Sequence, residues 1–330
     1  MKMKRESGSA LIAAVFFILG ATLLTMSVLA MSKFNTFTIR PHTDLQRSFY
    51  TNEGAANRIQ WLIAADRGLH PNANPGEEDY SEYEYDRYLA DGVTHTIDYY
   101  GTEIEFTITD ARSGFDFSPR SWRSTLNRIK RRWNTDTELA EKLENLNDLL
   151  SDYTDSNDIV DGGNGNGKEA AEYESEDRMP LPRNAAIQVR EELFYIDGFT
   201  DLFPVDKHGR LSSIRLIPPG NMVNLTGNPS VFTADKFLLM VYCDMEEEEA
   251  ETALEALEIY RTERIKLSDQ LGADLLPKLR RLSWRESGNY TVDMKPKAGT
   301  IGKRLTFSYP GFSATGPQND TVRYMQWIFY

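Results

Sequence analysis

The residues best suited to chemistry lie between Asp152 and Tyr173. Asp155, Asp158, Asp161, Glu169 and Glu172 offer carboxylates, Asn157, Asn164 and Asn166 offer amide carbonyls, and interspersed glycines permit tight turns. An all-oxygen set of this kind matches the roughly six to eight ligands that a hard cation draws from a flexible loop. Residue types alone leave two readings, a solvated acidic loop and a cation site, and favour the first. It is not an EF-hand, because no placement gives alternating Asp/Asn positions ahead of a Gly and a distal Glu.

Other chemistries find little footing. His42, His70, His95 and His208 are scattered, with no helical pair flanking a Glu, so there is no zinc-protease motif. Neither a Gly-x-Ser-x-Gly elbow nor a P-loop occurs. Gly162 to Gly167 follows an acidic stretch and lacks the Lys-Ser/Thr ending of a phosphate cradle. Glu246 to Glu249 reads as a solvated helix start, favourable at the positive end of the dipole. Cys243 is the single cysteine, so no intrachain disulfide forms; with no His or basic cluster beside it, it reads as a small buried hydrophobe. The expectation is a protein that is not an enzyme. Its net charge of -13 argues against a phosphate-backbone partner, so no nucleic acid is expected. A chain of 330 residues, 40% hydrophobic, suffices for two lobes and a proper core.

The element that must hold all this in place comes first. Ala10 to Met31 carries no charge, and about twenty apolar residues at about 1.5 Å rise cross a roughly 30 Å hydrocarbon layer. Lys2, Lys4 and Arg5 precede it against Glu6 alone, which keeps the N-terminus cytoplasmic and sends the bulk outward. A cleaved secretory signal needs a shorter apolar core and a small-residue exit, of which Ser27 to Met31 is a poor version. A plain signal anchor is a second reading. The third is that Lys4-Arg5-Glu6-Ser7-Gly8-Ser9-Ala10-Leu11-Ile12 resembles a type IV prepilin leader, cut by prepilin peptidase between Gly8 and Ser9, the helix staying in inner-membrane lipid. Prepilins usually carry Glu at the fifth mature position; here Ala13 stands there. An unpaired carboxylate in lipid is costly, so its absence suits a subunit with no neighbour ahead of it, at a filament tip.

Beyond the membrane, Phe34, Phe37, Leu45, Phe49, Ile59, Leu62 and Ile63 keep helical spacing, with Pro41 a kink and Gly68 and Pro71 an end. Gly76 to Tyr88 reads as a solvated loop. Alternation over Thr94–Tyr100 and Thr102–Thr109 around Gly101 predicts a β-hairpin. Tyr290–Met294, Arg304–Tyr309 and Arg323–Tyr330 read as returning strands. Between them, Arg120–Leu150, Ala185–Ile196 and two or three helices over Glu246–Trp284 are expected, with Asp152–Tyr173 too polar to pack. The fold class is α+β: a pilin-like long N-terminal membrane-spanning helix and a small antiparallel sheet, with a large mainly helical domain inserted between strands. The expected divisions are 1–8 leader, 9–67 long helix, 68–118 first part of the pilin-like α/β domain, 119–285 inserted helical domain and 286–330 C-terminal strands.

Four further motifs make the resemblance specific. They are Phe49–Ala56 on the anchor helix, Thr109-Asp110-Ala111-Arg112-Ser113-Gly114-Phe115-Asp116-Phe117, the series Leu149–Asp158, Gly167–Tyr173, Pro182–Asn184 and Glu191–Phe199, and Met222–Thr226. In this order they resemble the type II secretion minor pseudopilins of the general secretion pathway protein K family, over residues 4 to 230. Asp116 and Ser118 stand where that family tends to have Asn, and Gly162 to Asn166 lengthen the acidic loop. The resemblance implies structural calcium (Ca2+) in the helical domain, with Asp155, Asp158, Asp161, Glu169 and Glu172 as ligands. It implies partners as well: other minor pseudopilins of the protein I and protein J type, the major pseudopilin and secreted substrate. The implied role is capping and priming a periplasmic pseudopilus tip for export of folded proteins. The alternative is a type IV pilus minor pilin acting in initiation or adhesion.

Overall fold

The computed structural model describes residues 6–70, 75–77, 79, 83, 85–160, 166–176, 182–206, 209–217, 227–297, 301–309 and 323–329. The first element, α1 (Glu6–Leu69), is one helix of 64 residues. It runs unbroken through Pro41, as one forfeited i→i−4 bond does not interrupt a helix extended on both sides. Phe34 and Phe37 are 72% and 79% exposed, so the face predicted to pack on the soluble domain does so only from Ser48 onward.

There Ala55, Ala56, Ile59 and Ile63 lie on one face of a five-stranded antiparallel sheet. Its strands are β1 (Asp91–Tyr99), β2 (Thr102–Asp110), β5 (Asn289–Pro296), β6 (Lys303–Ser308) and β7 (Arg323–Phe329), in the order β1-β2-β5-β6-β7. Ile104, Phe106, Ile108, Val292, Met294, Leu305 and Phe307 alternate along β2, β5 and β6 toward the helix. That period of two made the strands readable in sequence. Lys303, 2% exposed, reaches Glu53 of α1 at 2.7 Å, and Asn52 donates to the Ile301 carbonyl at 3.1 Å. Glu286 closes the far end of the helix. Its carboxylate takes Arg67 in two bonds of 2.5 and 2.6 Å, the Tyr290 hydroxyl at 3.0 Å and the Ala90 amide at 2.6 Å.

The chain leaves this sheet after β2 and returns at β5. Between lie β3 (Phe115–Asp116), α2 (Trp122–Arg132), α3 (Thr137–Thr154), α4 (Ala170–Ser175), α5 (Phe199–Leu202), β4 (Ile214–Arg215), α6 (Lys236–Cys243), α7 (Glu247–Glu263), α8 (Leu267–Gln270) and α9 (Leu275–Leu279). A second apolar cluster unites all of these but α4, and Phe115 and Phe117 belong to it rather than to the sheet. Cys243 is buried in it, and burial pushes its thiol up to about 12, as an inert hydrophobe.

Several local expectations are corrected. Arg120–Leu150 is two helices, because Asp136 accepts the Leu139 amide at 3.0 Å and starts a new one. Ala185–Ile196 holds only a 3₁₀ turn over Arg190–Tyr195. There the Glu192 carboxylate takes the amides of Gln188 and Val189 at 3.0 and 3.1 Å, outcompeting the helical bonds. The polar stretch from Asp152 does pack: α3 continues to Thr154, and Tyr153 and Tyr173 are buried. Arg87, in the segment expected to be solvated, is buried against Asp66 at 2.7 Å.

Candidate metal centre

Helix α3 brings Asp152 to its buried side at the last turn, and Asp155 follows as the C-cap. That turn carries no basic residue. The carbonyl end of an 18-residue helix is the negative pole of its dipole, so two carboxylates there raise a negative potential that nothing on the helix offsets. After the acidic loop, Glu169 comes back to the same place. Ligand-capable oxygens of Asp152, Asp155 and Glu169 all lie within 4.8 Å of one another.

Glu169 is 2% exposed, and neither of its carboxylate oxygens has a hydrogen-bond partner. A buried carboxylate in that condition is costly unless a proton or a cation joins it. Burial first, then the charges of Asp152, Asp155, Asp158 and Glu172, push its pKa up to about 7. The neighbouring Lys168 does not help: its ammonium turns to Glu176 at 2.7 Å and Asp197 at 2.9 Å.

The predicted ligands therefore divide. Asp155 and Glu169 meet, joined by Asp152. Asp158 and Glu172 act on the charge of Glu169 while holding the frame: Asp158 accepts from Asn184 Nδ2 at 3.0 Å, and Glu172 accepts the Glu169 amide at 3.1 Å. Asp161 lies outside the described residues, as do Asn164 and Met222–Thr226. Asn166 donates its amide to Asn145. Sequence reasoning missed Asp152. The signal was present, since Leu146, Leu149, Leu150 and Tyr153 carry the helical spacing past Leu150 and place Asp152 beside Tyr153. Asn184 was also missed as a contributor; its Oδ1 is buried without a hydrogen bond next to Asp158. Three carboxylates within 4.8 Å of one another form an oxygen-only donor set that fits Ca2+ better than a softer metal.

At the other end of the molecule, Gly8 and Ser9 lie within α1, the one helix among the described residues long and apolar enough to cross a membrane. Comparison with solved structures finds a chain in the crystal structure of the GspK-GspI-GspJ complex from the enterotoxigenic Escherichia coli type 2 secretion system. The TM-score is 0.50 at 10% sequence identity, covering 88% of this chain and 99% of that one. This chain has the GspK-like pilin fold. No protein-family model matches it, and no curated protein does.

Proposed function

We propose that the chain is a minor pseudopilin of a type II secretion system, anchored in the inner membrane with its N-terminus cytoplasmic and its bulk periplasmic. In this role it caps and primes the pseudopilus tip. The observation that carries the reading is where the helical insert hangs. It joins the frame beyond the far end of α1, through Tyr260 and Arg264 to Asp91 at 2.9 and 2.7 Å and Leu267 to the Gly76 carbonyl at 2.9 Å. Mass at that end obstructs stacking of another subunit above, while the exposed apolar stretch from Ala10 to Met31 below offers its surface to lipid and to neighbouring helices. Ala13, with no charge to neutralise, suits the same position. The similar structure is a complex of GspK with GspI and GspJ, and the partners proposed here are subunits of those two types, with the major pseudopilin beneath.

The test is co-purification of the detergent-solubilised chain with the two small pseudopilins encoded beside it. A stable three-part complex is expected; a chain that elutes alone at micromolar concentrations, or one that assembles with pilus-retraction components, refutes the role. Processing is checked separately. A Gly8→Val chain should stay at full precursor mass when the wild type loses its first eight residues to prepilin peptidase; wild-type trimming of the variant would exclude any pilin reading.

We further propose that Asp152, Asp155 and Glu169, with Asp158 and Glu172 around them, hold a structural Ca2+. The bound cation would neutralise this charge and join the end of α3 to the start of α4.

A further inference from the structure

The face of the sheet turned away from α1 is only partly covered by the insert. A groove of about 720 Å³ remains between them, reaching from Thr94 on β1 to Met325 on β7. Five strands at about 4.8 Å spacing make it roughly 19 Å long, and the volume is within the range of ordinary ligand sites.

Its floor is a row of hydroxyls. Thr109 is in register with Thr291, and Thr291 with Thr306. Their bonds run mostly along the row: Thr291 and Thr306 hydroxyls are 3.0 Å apart, and Thr109 donates to the Thr291 carbonyl at 3.3 Å. One row further, Asp293 faces Arg304 and binds it in a fork, at 2.8 and 2.7 Å. This fork offsets the Arg304 charge only in part, because at Arg190 the repulsion from Arg304 outweighs the attraction of Asp293.

Arg190 enters from the insert side of the same groove. It donates only through Nη1, to the carbonyls of Leu211 and Ile214 at 3.1 and 3.2 Å. None of these bonds uses its Nε–Nη2 edge, the edge that matches the two oxygens of a carboxylate. Burial, and after it the Arg304 charge across the groove, make Arg190 an uncomfortable cation. A single anion between the two guanidiniums would relieve both effects, in a protein that is otherwise strongly acidic at net -13.

We propose that this groove binds an extended acidic peptide, one carboxylate of which is held between Arg190 and Arg304. About five or six residues at about 3.3 Å each fill the length, which a lone dicarboxylate does not, and the threonine row offers donors and acceptors to a backbone. One guanidinium edge open to the groove and without a protein hydrogen bond suits one negative charge, which favours a carboxylate over phosphate. The proposal does not depend on the secretion reading.

The probe is an end-capped hexapeptide of Thr, Val and Gly with one central Glu, titrated calorimetrically into the full chain in detergent. Its Gln and Lys counterparts, glutarate and inorganic phosphate are titrated in parallel. The Glu peptide should bind at least tenfold tighter than each of the others, and Arg190→Gln should remove that preference. Because that variant also loses two carbonyl bonds, Thr291→Val serves as a milder second, expected to weaken the Glu peptide severalfold at unchanged melting temperature. Equal binding of the Glu and Gln peptides, glutarate or phosphate binding as tight as the peptide, or no heat at 5 mM peptide overturns the proposal.

Discussion

Stripping the protein with EDTA is expected to lower its melting temperature by about 5–10 °C, and millimolar Ca2+ to restore it. A ligand held at about a hundred times its dissociation constant stabilises by about 2.7 kcal/mol. In a folded unit of 150 to 250 residues each kcal/mol moves the melting point by roughly 2–4 °C. Glu169→Gln should abolish the calcium response while raising the stability of the metal-free protein, because it removes a buried charge that has no hydrogen-bond partner. That opposite sign distinguishes a ligand from a residue that merely supports the core. The pH dependence follows from the raised pKa. A carboxyl whose folded value stands near 7, above its ordinary range, favours the fold when protonated. Its contribution to metal-free stability is therefore present at low pH and is lost as pH rises toward 7. Calcium requires the ionised form, so the calcium-induced shift should be larger at pH 8 than at pH 5.5. Differential scanning fluorimetry at the two pH values decides the matter; an unchanged melting temperature with calcium at both would remove the site.

Replacing Gly114 by Ala should unfold or severely loosen the insert, at a cost on the order of 4 kcal/mol. Two effects combine. Gly114 has φ +75, in the left-handed region that costs a residue with a Cβ about 1–2 kcal/mol. The added carbon would also stand 2.2 Å from the Ser213 carbonyl oxygen, which is backbone and cannot swing aside. That carbonyl accepts the Phe115 amide at 2.7 Å and begins the parallel pairing of β3 with β4. Pushing it away strips the pairing and tilts Phe115 and Phe117 out of their contacts with Phe199 and Phe203. Gly101→Ala is the control. Its φ is +77 in the hairpin turn, yet a Cβ there meets nothing within 4 Å, so only the backbone term of about 1 kcal/mol is expected. Urea titration followed by tryptophan fluorescence separates them, since Trp122, Trp133 and Trp284 all pack in or against the insert. Equal destabilisation by the two variants would mean that the clash is absent.

The sequence was most legible where burial repeats with a fixed period. The uncharged run from Ala10, the alternation of Ile104, Phe106 and Ile108, and the matching strands around Val292 and Leu305 needed no knowledge of distant partners. Helix α6 escaped notice because Lys236–Cys243 is apolar almost all round and shows no stripe. Polar burial was the other blind spot. Arg87 looks like a surface residue until Asp66, 21 positions earlier, is seen beside it, and Asp152 looks like loop until Glu169 returns to meet it. The composition of the acidic stretch left a solvated loop and a cation site both open, while the grouping of Asp152 and Asp155 with Glu169 depended on a chain return that local pattern does not encode.

Asp110 of β2 receives the amide and hydroxyl of Ser287 at 2.5 and 2.9 Å, and Arg112 beside it donates to the Arg285 carbonyl. The two strands of chain that cross between the lobes are thus stitched side by side. A lobe whose beginning and end touch is a cassette: a short glycine bridge from Asp110 to Glu286, which keeps the carboxylate that binds Arg67, could replace it without parting β2 from β5.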